Sequence, residues 1–304
     1  MTVNKKKLLV SFSGGETSAY MAQWLWNNKR DEYEMIFVFA NTGEESEETL
    51  LFVERCSHYF SFPVVWVESV FHKERGVGTT HSVVNYKTAS RKGEPFENNI
   101  KTYGIPNIAN PQCTRELKRV PIQKYAKSIG WKKYYTAIGI RVDEIDRVDS
   151  KRVQKRLYYP LCQDHPKTKP EINVYWKNMP FRLDLKGYQG NCKWCWKKSF
   201  KKLRRIAKDN PEHFDFPLKM EEKYGNYMPD HRIEKWIEQG KEVPTSITFF
   251  RGNKSAKNIL EEAKNADPKV FDDSRNYNIQ SSLLNNDDLN ESCEVFAECG
   301  PENI

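Results

Sequence analysis

Hydrophobic and polar positions follow two periodicities in the first 140 residues. Leu8, Leu9, Val10 and Phe12 form a short apolar run that reads as a buried strand over 7–12. Similar runs recur at 35–40 (Met-Ile-Phe-Val-Phe-Ala), 64–68 (Val-Val-Trp-Val-Glu) and 134–140. After the first run, Tyr20, Met21, Trp24 and Leu25 share one helical face. After the second, Thr49, Phe52, Val53, Cys56 and Phe60 do the same. Strands separated by helices predict an α/β fold with a Rossmann-like, doubly wound parallel sheet. Ligands of such sheets bind outside the carboxyl ends of the strands, where the strand order reverses.

Further along the pattern loosens. Residues 70–110 carry Gly76, Gly78, Gly93 and Gly104 with few apolar runs, and read as an excursion over the site. A basic amphipathic helix is expected over 118–129, with Val120, Ile122, Tyr125 and Ile129 inward. Residues 151–190 read as loops, punctuated by Pro160, Pro166, Pro170 and Pro180. A strongly basic helix over 196–208 has Phe200, Leu203 and Ile206 to pack. Two more helices are expected at 230–240 and 253–265, and disorder from about 268, where the chain turns polar and Asn-rich.

Composition narrows the classes. The chain has 304 residues, 38% of them hydrophobic. No apolar run approaches the roughly 20 residues that span a bilayer, and the lysine-rich start leads into a strand, not a signal-peptide core. A cytoplasmic protein with no membrane partner is expected. Net charge is +8, unevenly spread. Residues 284–304 hold six acids and neither Lys nor Arg, which leaves +14 on residues 1–283. Such a body attracts phosphorylated ligands or nucleic acid, although a generic Lys-rich solvated surface reads the same way. Seven cysteines are no disulfide framework, but Cys192-Lys-Trp-Cys195 has the spacing of a metal or redox pair in a reducing compartment.

The first strand runs into Ser11-Phe-Ser13-Gly14-Gly15-Glu-Thr17-Ser18 and then into a helix. Strand, glycine turn and helix together aim backbone N–H groups and a positive helix end at an anion. Neither a Walker loop nor a Gly-x-Gly-x-x-Gly turn is present. The stretch resembles the PP-loop, Ser-Gly-Gly-x-Asp-Ser, of the adenine nucleotide α-hydrolase superfamily, with Thr17 in the place of Asp. Asn41-Thr42-Gly43-Glu44-Glu45 ends the second strand and would supply contacts beside it, while Glu45 is equally a helix-start carboxylate. Arg141 and Arg147 suit bidentate bonds to phosphate, or ion pairs with Asp143, Glu144 and Asp146. Lys118 and Arg119 either neutralise phosphate or form the wet face of their helix.

In order, Cys113-Thr-Arg-Glu-Leu-Lys118, Gly139-Ile-Arg141-x-x-Glu144-x-x-Arg147, Gly190-Asn-Cys192-x-x-Cys195 and Glu298-Cys299-Gly300 complete a pattern. It resembles the phosphoadenosine phosphosulfate (PAPS) and adenosine phosphosulfate (APS) reductases over residues 7–200 and three tail residues. The resemblance implies a PP-loop catalytic domain over 1–200, including a cysteine-bearing segment at 110–200. A basic helical region over 201–267 and a polar acidic tail over 268–304 would follow. It implies that Ser11, Ser13, Gly14, Gly15, Thr17, Ser18, Asn41, Thr42, Gly43, Gly139, Arg141 and Arg147 bind an adenine nucleotide: PAPS, APS, or ATP with Mg. Cys299 would be the nucleophile toward activated sulfate, with Arg141 and Lys118 beside it and a thioredoxin-like reductant as partner. Cys113, Cys192 and Cys195 would hold a [4Fe–4S] cluster with one open iron, or Cys162 or His165 would complete the shell of a cluster or of zinc, with Gln112 where the branch has a further cysteine. The expected activity is reduction of activated sulfate to sulfite and an adenosine phosphate. The alternatives are an ATP α/β-pyrophosphatase that thiolates a nucleic-acid base, and a non-catalytic nucleic-acid-binding module.

Overall fold

The structure is a computed structural model and describes residues 5–72, 74 and 77–279. Six strands, β1 (Lys6–Ser11), β2 (Tyr33–Ala40), β3 (Val64–Phe71), β4 (Thr79–Val84), β5 (Tyr135–Ala137) and β6 (Leu157–Tyr158), form one sheet in the order β4-β3-β2-β1-β5-β6. All neighbouring pairs are parallel except β3 with β4. β1 is central, with Leu8 opposite Met35 on one side and Tyr135 on the other. The chain therefore builds outward from β1 to β3 and returns to the far side of β1 at β5. This places a reversal of strand order between β1 and β5.

Both faces of the sheet are covered, as a parallel sheet requires. Leu8, Val10, Phe37 and Phe39 enter one core, while Leu9, Val38 and Ala40 enter the other. Helices α1 (Glu16–Lys29) and α2 (Glu47–Phe60) pack on the first face through Met21, Leu25, Phe52 and Val53. Helix α3 (Glu94–Tyr103) and a π-helical turn (Arg115–Arg119) lead to α4 (Val120–Ser128), which covers the second face with Ile122 and Ala126. Ile129, expected inward, caps α4 and is exposed.

Several elements depart from the expectation. The region 70–110 contains β4 and α3, while the loop-rich region 151–190 contains α5 (Arg152–Lys155), α6 (Pro160–Gln163) and α7 (Lys169–Lys177). Pro170 sits in the first turn of α7, where its missing N–H costs nothing, and Thr168 with Glu171 forms a capping box. The basic helix begins later than expected, as α8 (Phe200–Asp209), because Ser199 caps it by accepting from Lys202 N. Helices α9 (Asp215–Tyr224), α10 (Asp230–Glu238) and α11 (Ala256–Asn265) follow.

Among the described residues, the helical region from 201 onward shares its core with the preceding segments. Leu203, Ile206, Phe214, Met220 and Phe249 share one cluster with Phe96, Ile100, Leu117, Trp194 and Trp196. Fully burying side chains of this size contributes about 1.5–3 kcal/mol each, so the helical region and the cysteine segment are fixed to each other. Residues 268–279, where disorder is expected, are placed against the body. Asn173 Nδ2 donates to Asp273 O (2.8 Å) and Asn276 O (2.7 Å), and Arg182 Nη2 donates to Ser274 O (2.8 Å). No helix among the described residues is long and apolar enough to cross a membrane.

Candidate functional site

At the reversal between β1 and β5 lies a cavity of about 180 Å³. Its wall includes Ser13, Gly15, Glu16, Thr17 and Ser18 from the first turn and Gly139 and Arg141 from beyond β5. Gly14 adopts a φ of +84°, and a Cβ there would lie 2.7 Å from Thr49 Cγ2 on α2. Gly14 thus serves the sharp turn and the packing beneath it, off the cavity wall. Gly15 is extended (φ −94°, ψ 159°) and forms the N-cap of α1 with no capping side chain. The first-turn N–H groups consequently have no intrahelical acceptor, an arrangement chemically suited to an anion. Ser18 Oγ braces the loop, accepting from Ser13 N (3.2 Å) and Ser13 Oγ (3.0 Å). Gly139 lets β5 approach α1, since its Cβ would stand 3.1 Å from Ser18 Cα.

Arg141 is buried on this wall. Its Nε donates to Asp143 Oδ1 (2.9 Å), and Nη1 lies 3.1 Å from both Glu144 Oε2 and Thr17 Oγ1. Burial works against its charge, but Glu144 and Asp143 outweigh it and hold its pKa above the ordinary value. The ion-pair reading of Arg141 is what the structure shows, on a side chain that also lines the cavity. Arg147 contacts Glu144 Oε1 and does not line the cavity.

The cysteine segment is joined directly to the loop that precedes α1. Asn191 Nδ2 donates to Ser13 O (2.6 Å), Ser46 N to Asn191 O (3.4 Å) and Lys193 N to Glu44 O (3.1 Å). Cys192 and Cys195 consequently line the same cavity. Cys192 Sγ lies 3.8 Å from Lys118 Nζ and donates to Glu45 Oε1 (3.9 Å), and Lys118 is 3.4 Å from the same carboxylate. Glu45 is fixed by Thr42, whose N donates at 2.8 Å and whose Oγ1 donates at 3.0 Å.

Below it, Glu44 accepts from Trp194 Nε1 (2.6 Å). Burial pushes its carboxyl up to about 7, with the Trp194 bond opposing the shift. A folded pKa above the ordinary 4.5 means stability that is complete below 4.5 and lost as pH rises through about 7. Glu44→Gln keeps an acceptor for Trp194 and removes the charge. Urea unfolding at about pH 5 and about pH 8 should show the variant gaining up to about 3 kcal/mol on the parent across that interval. An unchanged difference at the two pH values counts against a neutral Glu44.

Other expected ligands lie elsewhere. Asn41 donates to Glu68 Oε1 (2.6 Å) and Ser90 O (2.9 Å), Thr42 serves Glu45, and Gly43 packs on Gly93. None of the three is on the cavity wall, because their polarity is spent on the turn that ends β2. Ser11 Oγ is buried with no hydrogen-bond partner and is likewise off the wall.

Among the described residues, no group of three or more His, Cys, Asp or Glu side chains is placed to hold a metal ion. Cys162 is held in the second-face core, donates to Ile140 O (3.2 Å) and is pushed up to about 11 by burial. His165, the other candidate, bonds Tyr20 Oη at 2.7 Å. Cys113 packs against the cluster shared by α3 and α8. Cys299 lies outside the described residues.

Four lysines on the wall carry no sequence signal: Lys169, Lys186, Lys198 and Lys202. Lys198 and Lys202 are only 5% and 6% exposed, which is unusual for lysine. With Lys118 and Arg141 they outnumber the acids Glu16, Glu144 and Asp273 on the wall. Asp273 and Ser274 reach it because Asp272 accepts from Gly187 N (2.7 Å). Glu16 is engaged by Arg182 at 2.9 and 3.0 Å.

No protein-family model matches the chain. It is similar to an uncharacterized nin region protein of Escherichia phage lambda, at 29% identity over 294 residues, spanning 95% of this chain and 94% of the relative. It is also similar to an uncharacterized protein of Methanocaldococcus jannaschii, at 23% identity over 255 residues. That match spans 78% of this chain and 45% of the archaeal protein.

Proposed function

We propose that the chain is an enzyme of the PP-loop type that binds the anionic end of an adenine nucleotide in this cavity and performs sulfur chemistry there. One observation carries the reading: the Asn191–Ser13 bond sets a cysteine pair on the wall of an uncapped helix N-terminus. Backbone N–H groups of α1, Arg141 and the wall lysines suit phosphate and sulfate oxygens. The thiols beside them suit a sulfur atom carried on such a group. The leading substrate is therefore a sulfonucleotide, PAPS or APS, reduced to sulfite and an adenosine phosphate.

The nucleic-acid alternatives draw less on the geometry. Three cations of α8 are committed to neighbouring acids: Arg204 to Glu262 (2.8 Å), Arg205 to Asp209 (2.9 Å) and Lys208 to Asp267 (3.1 Å). Incubation of the full chain with PAPS, APS and ATP in separate reactions, with a dithiol present, tests the proposal. Sulfite with an adenosine phosphate is expected. AMP with pyrophosphate from ATP alone would replace it with the base-thiolating reading, and failure to bind any of the three nucleotides would overturn both.

A further inference from the structure

The cavity lies at the carboxyl ends of β1 and β5, and the opposite ends of the same strands carry positive charge that the sulfonucleotide reading does not use. We propose that the amino-terminal edge of the sheet, through Lys6, Lys133, Arg156 and Tyr135, binds single-stranded nucleic acid. The inference does not rest on the sulfonucleotide reading. Lys6 opens β1 and Ser11 closes it, about 17 Å of strand away, so the two surfaces occupy opposite ends of one sheet.

The register assembles the patch from three neighbouring strands. Leu8 pairs with Tyr135, and Lys6 and Lys133 each precede that pair by two residues. Thr136 N donates to Arg156 O (2.9 Å), which sets Arg156 at the start of β6 beside Tyr135. Lys7 Nζ lies 5.2 Å from the centroid of the Trp131 ring, so the start of β1 is tied to the turn that carries Lys133. Neighbouring strands are about 4.8 Å apart, so the three cations share a stripe on the order of 10 Å across.

Two properties separate this stripe from a generic lysine-rich surface. The first is the state of its cations. Lys6, Lys133 and Arg156 are exposed, and none of them is ion-paired among the described residues. On α8, by contrast, Arg204, Arg205 and Lys208 each hold an acid. The acids near the stripe are engaged or lie to one side: Lys155 holds Asp149 (2.6 Å), Lys29 holds Glu32 (2.9 Å), and Glu34, opposite Lys7, bounds the stripe at β2. The second property is the ring of Tyr135, 40% exposed beside Arg156. Cations attract a phosphate backbone, and an exposed aromatic face stacks an unpaired base. That combination fits a single strand better than a duplex, whose bases are already stacked, or a lipid surface, which has none.

Fluorescence anisotropy of the full chain with labelled oligothymidylate and oligouridylate of about 20 nucleotides tests the surface, and the tighter of the two tells DNA from RNA. Three phosphate contacts predict that log affinity falls against log salt with a slope of about −2. Replacing Lys6→Gln, Lys133→Gln and Arg156→Asn together should weaken binding about tenfold or more at about 50 mM salt and flatten the slope. Asn is chosen because Arg156 has a φ of 54°, which Asn tolerates. Tyr135→Ala should weaken binding about fivefold or more with the slope unchanged, and it carries the test if the triple variant does not fold. PAPS or ATP, added at constant ionic strength, should not displace the oligonucleotide. No binding of either oligonucleotide at about 50 mM salt, parental affinity in the folded triple variant, or displacement by PAPS or ATP would each overturn the surface. Competition by polyglutamate as strong as by unlabelled oligonucleotide, with Tyr135→Ala unchanged, would overturn it in favour of general attraction to polyanions. Capture by phosphatidylserine vesicles without oligonucleotide binding would overturn it in favour of a lipid surface.

Discussion

Gly15→Val should abolish adenine-nucleotide binding while leaving the fold intact. The backbone at Gly15 is extended, a conformation that suits a β-branched residue. A Cβ there meets only Asn191 Oδ1 at 3.8 Å and Ser13 Oγ at 3.9 Å, which are ordinary contacts. The valine methyls would instead occupy the space before the first-turn N–H groups of α1. Losing two charge-assisted bonds, at about 1.5–3 kcal/mol each, predicts a fall of roughly a hundredfold or more. Gly14→Val is the contrasting control. Its positive φ and the Thr49 methyl 2.7 Å away leave no room, so that variant should lose the fold itself. Calorimetric titration with PAPS and ATP, alongside thermal melts of both variants, separates the outcomes. Parental affinity in folded Gly15→Val would remove the anion loop from the proposed function.

The sheet and its central turn were legible because their signals are local. A continuous apolar run followed by a 3.6-residue stripe leaves few alternatives, and β1, α1, β2 and α2 lie where the pattern puts them. β4 escaped notice for a physical reason. Thr-Thr-His-Ser-Val-Val is an antiparallel edge strand, half-buried, and its polarity reads as loop. α7 was hidden by its own start signal, because Pro170 counts as a breaker everywhere except in a first turn.

The site was legible only where chemistry and chain order coincide. Ser13, Gly15, Thr17, Ser18, Lys118, Gly139, Arg141, Cys192 and Cys195 all reach the cavity wall. Asn41, Thr42 and Gly43 occupy the next strand end along, yet a polar turn can satisfy itself, and this one does. Lys198 and Lys202 show the converse. Lysines in a basic stretch suggest solvent, yet Lys198, in the turn before α8, and Lys202, on α8 beside the inward-packed Leu203 and Ile206, both line the cavity. Asp273 belongs to a segment whose composition suggests disorder, and Asn173, Arg182 and Gly187 hold that segment in place from 85 to 100 residues away. None of those partners is visible in a local window.

The remaining large effect is at Arg141, where the proposed function has one guanidinium serve both fold and ligand. Arg141→Ala would strip the enclosed Asp143 carboxylate of its cation, while Glu144 keeps Arg147. Breaking a buried pair from one side costs about 3–5 kcal/mol, most of it the penalty of the charge left behind. That origin makes a further prediction. Adding Asp143→Asn to Arg141→Ala should recover a large part of the loss, which a mere packing defect would not allow. Arg141→Lys isolates the ligand's share. A lysine keeps the charge, but one ammonium cannot reach Asp143, Glu144 and Thr17 and still present a fork to phosphate. Nucleotide affinity should fall about tenfold, the worth of one charge-assisted bond, with a smaller loss of stability. Denaturant melts and nucleotide titrations on the three variants distinguish the roles. A destabilised Arg141→Lys with unchanged affinity would make Arg141 a brace for the turn after β5 and nothing more.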